Sequence, residues 1–248
     1  MIVAGLVAGG SGTRMKSAIP KQFLPLGGEP ILYRTLRTFC LTEEVDAVLV
    51  GVPAEWIERT EELAKELREK ERISKPVLVC SGGKSRLDTL VRLKETAESR
   101  LHAGKDDIFL THDAVRPFVT EEMIRANIIA MDTAAACSTV IPATDTVLIS
   151  MDGEQVYSVP KRSTMFLAQT PQTVRFGEFG QILESLSDAE RAVTTDVCGI
   201  YRLRGIPVAM VPGSPENIKI TGPLDLSVGE TIIRLREAEQ CRKEKENV

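Results

Sequence analysis

The chain has few aromatic residues and very little histidine. Aromatics make up 4% of 248 residues, with one tryptophan, Trp56, and two histidines. Few rings mean no stacking platform for single-stranded nucleic acid. A formal net charge of −4 gives no basic footprint for a duplex. Nucleic acid is therefore not an expected partner. The five cysteines (Cys40, Cys80, Cys137, Cys198, Cys241) are odd in number and lack C-x-x-C spacing, which excludes a disulfide framework and a zinc site. Cys40, Cys80 and Cys137 stand in apolar surroundings and are expected as buried thiols, consistent with a reducing cytoplasm. No run approaches the ~18 apolar residues of a membrane-spanning helix. The N-terminus has no charged region or cleavage site of a signal peptide. No repeat or low-complexity linker is present. These absences predict a cytoplasmic protein with no membrane partner.

Hydrophobic residues make up 43% of the chain, enough for one substantial core and one domain over 1–248. Strand and helix patterns alternate. Strands are expected at Ile2–Val7, Ala47–Val52, Pro76–Cys80, Asp107–Thr111, Ser138–Ile141 and Ile206–Val211. Helices are expected at Pro30–Cys40, Ala54–Arg72, Ser85–Arg100, Thr120–Thr133 and, as a charged amphipathic segment, Leu224–Cys241. This order predicts an α/β fold: a single Rossmann-like domain, its sheet mostly parallel, with helices on both faces. The rhythm breaks at about 142–168. There Thr146–Ile149 and Gln155–Ser158 flank Asp152-Gly153, a hairpin signal. An isolated hairpin is marginal in water, so this segment is expected to be a protruding arm that pairs with a second subunit in a homodimer.

The most informative segment is Leu6-Val-Ala-Gly-Gly-Ser-Gly-Thr-Arg-Met15 with Pro20-Lys21-Gln22 behind it. A buried strand empties into a glycine-rich loop, where backbone N–H groups approach phosphate without Cβ interference. Arg14 and Lys21 stand ready to neutralise a polyphosphate and the charge that develops as it is cleaved. The loop is neither a Walker A sequence nor G-x-G-x-x-G. Taken alone it is compatible with an ordinary strand-to-helix turn; the two cations are what favour nucleotide chemistry.

In open α/β sheets ligands bind beyond the carboxyl ends of the strands. One such end gives Ser81-Gly-Gly-Lys-Ser-Arg86 followed by Asp88-Thr89, small residues that admit a flat base, with Ser85 also suited to cap a helix. Another gives Thr111-His-Asp-Ala-Val-Arg-Pro-Phe118. There Asp113 either holds Mg²⁺ between phosphate oxygens or caps the next turn, and His112 is expected to be structural. In Asn217-Ile-Lys-Ile-Thr221, Lys219 alternates with two isoleucines and leaves the opposite sheet face, to solvent or to a phosphate. No nucleophile has a base partner, so no covalent intermediate is expected.

These strings, with Asp145-Thr146, Gln169-Thr-Pro-Gln172 and Thr195-Asp196, resemble the CTP-dependent cytidylyltransferases of polyol phosphates, in the same order over nearly the whole chain. The resemblance implies an enzyme that transfers CMP from CTP. One branch of the family uses ribitol 5-phosphate, for wall teichoic acid. The other uses 2-C-methyl-D-erythritol 4-phosphate, for isoprenoids. Thr111–Phe118, Gln22–Pro25, Glu55–Ile57 and Ile218–Thr221 look more like the ribitol branch. Pro160-Lys-Arg-Ser163, which lacks that branch's Val-Arg-Asp, and Gly222 depart from it and leave the acceptor open.

The resemblance also implies roles. Ala8, Gly9 and Gly10 would line the nucleotide, and Gly83 and Thr89 would hold cytosine. Arg14 and Lys21 would stabilise the pentacoordinate phosphate, and Asp113 would bind Mg²⁺. Arg116, Thr146, Arg162, Thr170, Thr195 and Lys219 would grip the acceptor, some from the partner's arm. Two other readings are a nucleotide-binding module without catalysis and a transferase that uses UTP or GTP.

Overall fold

The computed structural model describes residues 1–10, 15, 17, 19–194 and 196–246. Arg14 and Thr195 lie outside the described residues. The strands are β1 (Ile2–Val7), β2 (Ala47–Val52), β3 (Val77–Ser81), β4 (Ile108–Asp113), β5 (Ala136–Pro142), β6 (Phe166–Arg175) and β7 (Val208–Pro212). The α-helices are α1 (Ile31–Leu41), α2 (Ile57–Glu71), α3 (Arg86–Leu101), α4 (Glu121–Ala130), α5 (Phe176–Ser185), α6 (Asp188–Val193), α7 (Val197–Leu203) and α8 (Pro223–Glu246). One seven-stranded sheet runs β3-β2-β1-β4-β6-β5-β7.

Alternation along β1 divides its side chains between the two faces of the sheet. Ala4 and Leu6 pack with Leu32, Leu36 and Phe39 of α1, Leu63 and Leu67 of α2, and Ile124 of α4. Val3 joins Leu90 and Leu93 of α3, Phe176 and Phe179 of α5, and Ile200 and Tyr201 of α7. Burying each such Leu or Phe is worth about 1.5–3 kcal/mol. The two layers therefore hold the strands rigidly and leave their carboxyl ends free for polar groups.

The sheet departs from expectation in one strand. β6 runs antiparallel between β4 and β5, with Gln172 opposite both Thr111 and Ser138. The sequence reading placed no strand at Phe166–Arg175. Pro171 lies inside it, and proline in a central strand argues against that assignment. The remaining pairings, β3/β2, β2/β1, β1/β4 and β5/β7, are parallel, so the mostly parallel sheet stands. The short helices α5, α6 and α7 were not anticipated either.

The expected hairpin is reduced to one isolated bridge, Ile149 with Ser158. The Asp152 carboxylate accepts from the backbone N–H of Glu154 and Gln155, each at 2.9 Å, and from Ser150 Oγ at 3.0 Å. This side-chain-bonded bend widens the loop, so no ladder forms on either side of Asp152-Gly153. Residues 217–221 also form no strand, which corrects the expectation that Lys219 leaves a sheet face. The alternation itself is real. Ile220 is buried with Leu26, Ile31, Val115 and Phe118, and Ile218 packs against that group, while Lys219 turns away from it. Cys40 and Cys137 are buried, and Cys80 only partly.

Candidate active site

A cleft of about 790 Å³ opens at the carboxyl ends of β1, β3 and β4. It brings together Ala8, Gly9, Gly10, Lys21, Gly83, Thr89, Asp113 and Lys219, all of them singled out from sequence. Arg116 and Thr170 stand behind Asp113. Thr146 and Arg162 do not line the cleft; they lie in the arm segment, where Arg162 Nη1 donates to Thr144 O at 3.3 Å.

The β1 loop is tied down by a glutamine. Gln22 is buried, and its Nε2 donates to Ala8 O at 2.6 Å. It belongs to a single 3₁₀ turn, Lys21–Phe23, whose Phe23 stacks on Trp56 at 4.5 Å between ring centroids. The turn thereby fixes the neighbouring Lys21, which is only 8% exposed. The loop after β3 has its own brace. Thr89 Oγ1 accepts from Gly83 N–H and donates to Ser85 O, both at 3.0 Å. Ser85 and Asp88 form a capping box at the start of α3, so the loop is both helix cap and cleft wall. A Cβ at Gly83 would overlap Asp88, and one at Gly51 would come within 2.6 Å of Thr89 Cγ2. Glycine at 83 lets backbone form the wall of the cleft, and glycine at 51 makes room for the Thr89 side chain that braces it.

Asp113 is the electrostatic centre of the cleft. Arg86 Nε donates to its Oδ1 at 3.0 Å, Lys219 Nζ lies 2.8 Å from Oδ2, and Arg116 Nε lies 3.9 Å from Oδ2. Burial alone would raise this carboxyl, but Arg86 and Lys219 together outweigh it and hold the group well below the usual carboxylate range. Four cations (Lys21, Lys84, Arg86, Lys219) and two carboxylates (Glu55, Asp113) line the cleft among the described residues. Such an excess of positive charge, in a partly desolvated hollow, suits a polyanion.

Sequence reasoning gave Arg86 no role. The signal was its position as the first residue of α3. A cation at a helix N-terminus opposes the macrodipole, so a carboxylate partner was to be looked for. Arg86 Nη1, Arg116 Nε and Asn217 Oδ1 are buried polar atoms without a hydrogen-bond partner among the described residues, and all three residues belong to this network. Asn217, also unassigned from sequence, donates from Nδ2 to Thr170 O at 2.9 Å and accepts on its backbone O from Arg116 Nη1 at 2.7 Å.

Behind Asp113, His112 is fully buried and pushed down to about 3, chiefly by that burial. The neutral ring carries one proton. Its Nε2 faces Arg116 O at 3.2 Å, a group that can only accept, so Nε2 bears the hydrogen. Nδ1 then accepts from the Thr170 hydroxyl at 2.9 Å, whose oxygen accepts from Asp113 N–H at 3.2 Å. His112 thus fixes Thr170, and Thr170 fixes the backbone of Asp113. Because the folded value lies below the ordinary 6.5, the unfolded chain binds a proton that the native ring refuses. This contribution to stability is complete above pH 6.5 and is lost as pH falls toward 3. Urea unfolding should show a loss of about 1.4 kcal/mol per pH unit in that window, and His112→Gln should flatten that slope. An unchanged slope would assign the acid sensitivity elsewhere.

A glycine-walled, cation-rich cleft at the carboxyl ends of a doubly covered sheet defines a nucleotide-handling α/β enzyme. Comparison with known proteins agrees. The family model for 2-C-methyl-D-erythritol 4-phosphate cytidylyltransferase (IspD) matches residues 2–235, and the chain belongs to this family. The chain is 38% identical over 236 residues to a ribitol-5-phosphate cytidylyltransferase of Streptococcus pneumoniae, covering 94% of this chain and 99% of that one. The crystal structure of 4-diphosphocytidyl-2C-methyl-D-erythritol synthase from Anaerococcus prevotii superposes with a TM-score of 0.77 at 25% identity, covering 94% and 96% of the two chains. The 2-C-methyl-D-erythritol 4-phosphate cytidylyltransferase of Francisella tularensis gives a TM-score of 0.74 at 26% identity, covering 92% and 97%.

Proposed function

We propose that this enzyme transfers CMP from CTP to ribitol 5-phosphate, releasing pyrophosphate and forming CDP-ribitol. The observation that carries the choice of acceptor is the 38% identity over almost the full length of both chains to a ribitol-5-phosphate cytidylyltransferase. The methylerythritol enzymes of known structure quoted above share 25% and 26%. Pyrophosphate release with CTP, measured in parallel with ribitol 5-phosphate and 2-C-methyl-D-erythritol 4-phosphate, tests it. Turnover of only the second acceptor would overturn the ribitol assignment. Turnover of neither would favour a binding module, and UTP and GTP arms test the base.

In this reading the backbone of Ala8, Gly9 and Gly10 and the braced Gly83–Thr89 loop hold the nucleotide. An acceptor phosphate oxygen attacks the α-phosphorus in line, the α–β bridging bond breaks, and its electron pair leaves on pyrophosphate. Lys21 faces the charge that develops there, and Arg14 shares that role by the sequence resemblance, so rate comes from positioning and charge neutralisation. Lys219, Arg116, Thr170 and Thr195 hold the acceptor phosphate and polyol.

Magnesium belongs to the same proposal. No group of three or more His, Cys, Asp or Glu that could hold an ion exists among the described residues. An ion carried in on the nucleotide would take one carboxylate from the protein, with phosphate oxygens and water as its other ligands. Asp113 would supply that carboxylate, because each of its oxygens has a second lone pair beyond the one given to Arg86 or Lys219. When bound, the ion would neutralise charge on the leaving pyrophosphate.

The arm leads to a homodimer. Tyr157 is 70% and Met151 77% exposed, and Leu148, Val156 and Val159 are exposed beside them. Such a patch on a marginal loop favours burial against a second copy. Thr146 and Arg162 on this arm would then reach the partner's acceptor. Sedimentation should give a dimer, and a monomer at micromolar concentration would refute it. Arg162→Ala is expected to raise the acceptor KM at least tenfold with the CTP KM unchanged. An unaltered acceptor KM removes Arg162 from the site. No helix among the described residues is long and apolar enough to cross a membrane, and a cytoplasmic location fits nucleotide and acceptor supply.

A further inference from the structure

The sheet ends at β3, and the outer side of this strand is open. Val48 N–H bonds Pro76 O and Gly82 N–H bonds Val52 O, with Leu78 in register with Leu49. In a parallel ladder this directs the even-numbered residues of β3 toward β2 and the N–H and C=O groups of Val77 and Val79 outward. No described side chain hydrogen-bonds those outward groups. At the far end Arg92 Nη1 covers the edge, donating to Ser81 Oγ at 3.2 Å beside the outward Ser81 O, and to Gly82 O at 2.9 Å just past the strand.

The open edge lies in a hollow of about 240 Å³ between α2 on one face of the sheet and α3 on the other. Its floor is Val77, Leu78, Val79 and Ala64. Lys65 and Arg68 overhang from α2, and Arg100 overhangs from α3. None of these three cations forms an ion pair or hydrogen bond with another described side chain, and Glu61 is the one carboxylate in the lining. A second hollow, of about 280 Å³, continues past the same Lys65 and Arg68 to Glu69 and Ile73.

An exposed edge is normally blunted by charge. Here the charge does more than repel neutral strands, because it stands on both faces of the edge. A guest strand sends alternate side chains to opposite faces, so one carrying carboxylates at both parities would meet Lys65 and Arg68 on one side and Arg100 on the other. We propose that β3 is a docking edge for an acidic, extended segment of a partner protein, which adds as an eighth strand and is held by main-chain hydrogen bonds at Val77 and Val79 and by Lys65, Arg68 and Arg100. β3 leads directly into the Gly82-Gly83 loop, so the docked segment would lie beside the nucleotide cleft without entering it. The proposal is independent of the acceptor assignment.

The test uses the full chain, isotope-labelled, and the blocked octapeptide Thr-Glu-Val-Glu-Glu-Val-Glu-Thr. Titration should saturate, and amide exchange at Val77 and Val79 should slow at least tenfold. The double variant Lys65→Glu/Arg68→Glu should weaken binding at least tenfold and leave pyrophosphate release from CTP unchanged, which also reports an intact fold. The same peptide with proline at both valines keeps its charge but loses a strand donor at each parity, and should bind at least tenfold more weakly. Absence of protection at saturation overturns the proposal. So does equal binding of the proline peptide or of a lysine-for-glutamate version, since charge or simple edge blunting would then suffice.

Discussion

Lys21→Ala is expected to lower kcat for pyrophosphate release by about 10²–10³-fold, the size of effect seen when a preorganised group facing developing charge is removed. Three features give the lysine that influence. It is 8% exposed, so its charge acts through a medium far less screening than water. It opens a 3₁₀ turn pinned by the 2.6 Å bond from Gln22 to Ala8 O and by the Phe23–Trp56 stack. Its stem runs beside Gly10, 4.0 Å from where a Cβ would stand, so it reaches into the glycine loop. CTP affinity should change little, because the base and sugar rest on backbone groups that the substitution leaves alone. A single-turnover assay separates the two effects. If CTP affinity falls as far as the rate does, Lys21 serves ground-state binding and not the transition state.

Asp113→Asn is expected to cost about 3 kcal/mol of stability and most of the activity. The carboxylate is 6% exposed and takes Arg86 on one oxygen and Lys219 on the other. Removing its charge leaves a mostly buried guanidinium uncompensated, a loss of about 3–5 kcal/mol for a buried pair. The lower figure applies here because Lys219, 40% exposed, can turn to water. For a chain of this size about 3 kcal/mol lowers Tm by roughly 6–12 °C. Adding Lys219→Met should cost less in the Asp113→Asn background than in the wild type, since the lysine there no longer has its partner. Additive losses would mean that the pair does not interact. Acid titration separates this residue from His112. The Asp113 carboxyl is held below the ordinary carboxylate range, so its contribution is present above the unfolded value near 3.9 and is lost only as pH falls through its lower folded value. Of the two residues, only His112 gives a stability slope between pH 6.5 and about 5.

The sequence by itself determined whatever depends on local periodicity and on residue type at a strand end. β1, β2, β3, β4, α1 and α3 come within one or two residues of their expected bounds, because apolar alternation, glycine turns and the Ser85 cap act over short range, and α2 starts three residues late, after a 3₁₀ turn at Ala54–Trp56. The glycine loop, Lys21 and Asp113 were legible for a related reason: phosphate chemistry needs those residue types where a parallel strand stops. The tertiary structure decided what depends on distant partners. The strand potential of Phe166–Arg175 is realised only because β4 and β5 offer an antiparallel slot despite Pro171. The arm signal at Asp152-Gly153 yields one bridge, because no third strand supports it and Asp152 takes the turn's own N–H groups. Lys219 reaches Asp113 from 106 residues away, and Arg86 from 27, distances along the chain at which no periodicity reports. A charge network is set by where the folded backbone brings its members, and by the burial that makes each pairing strong.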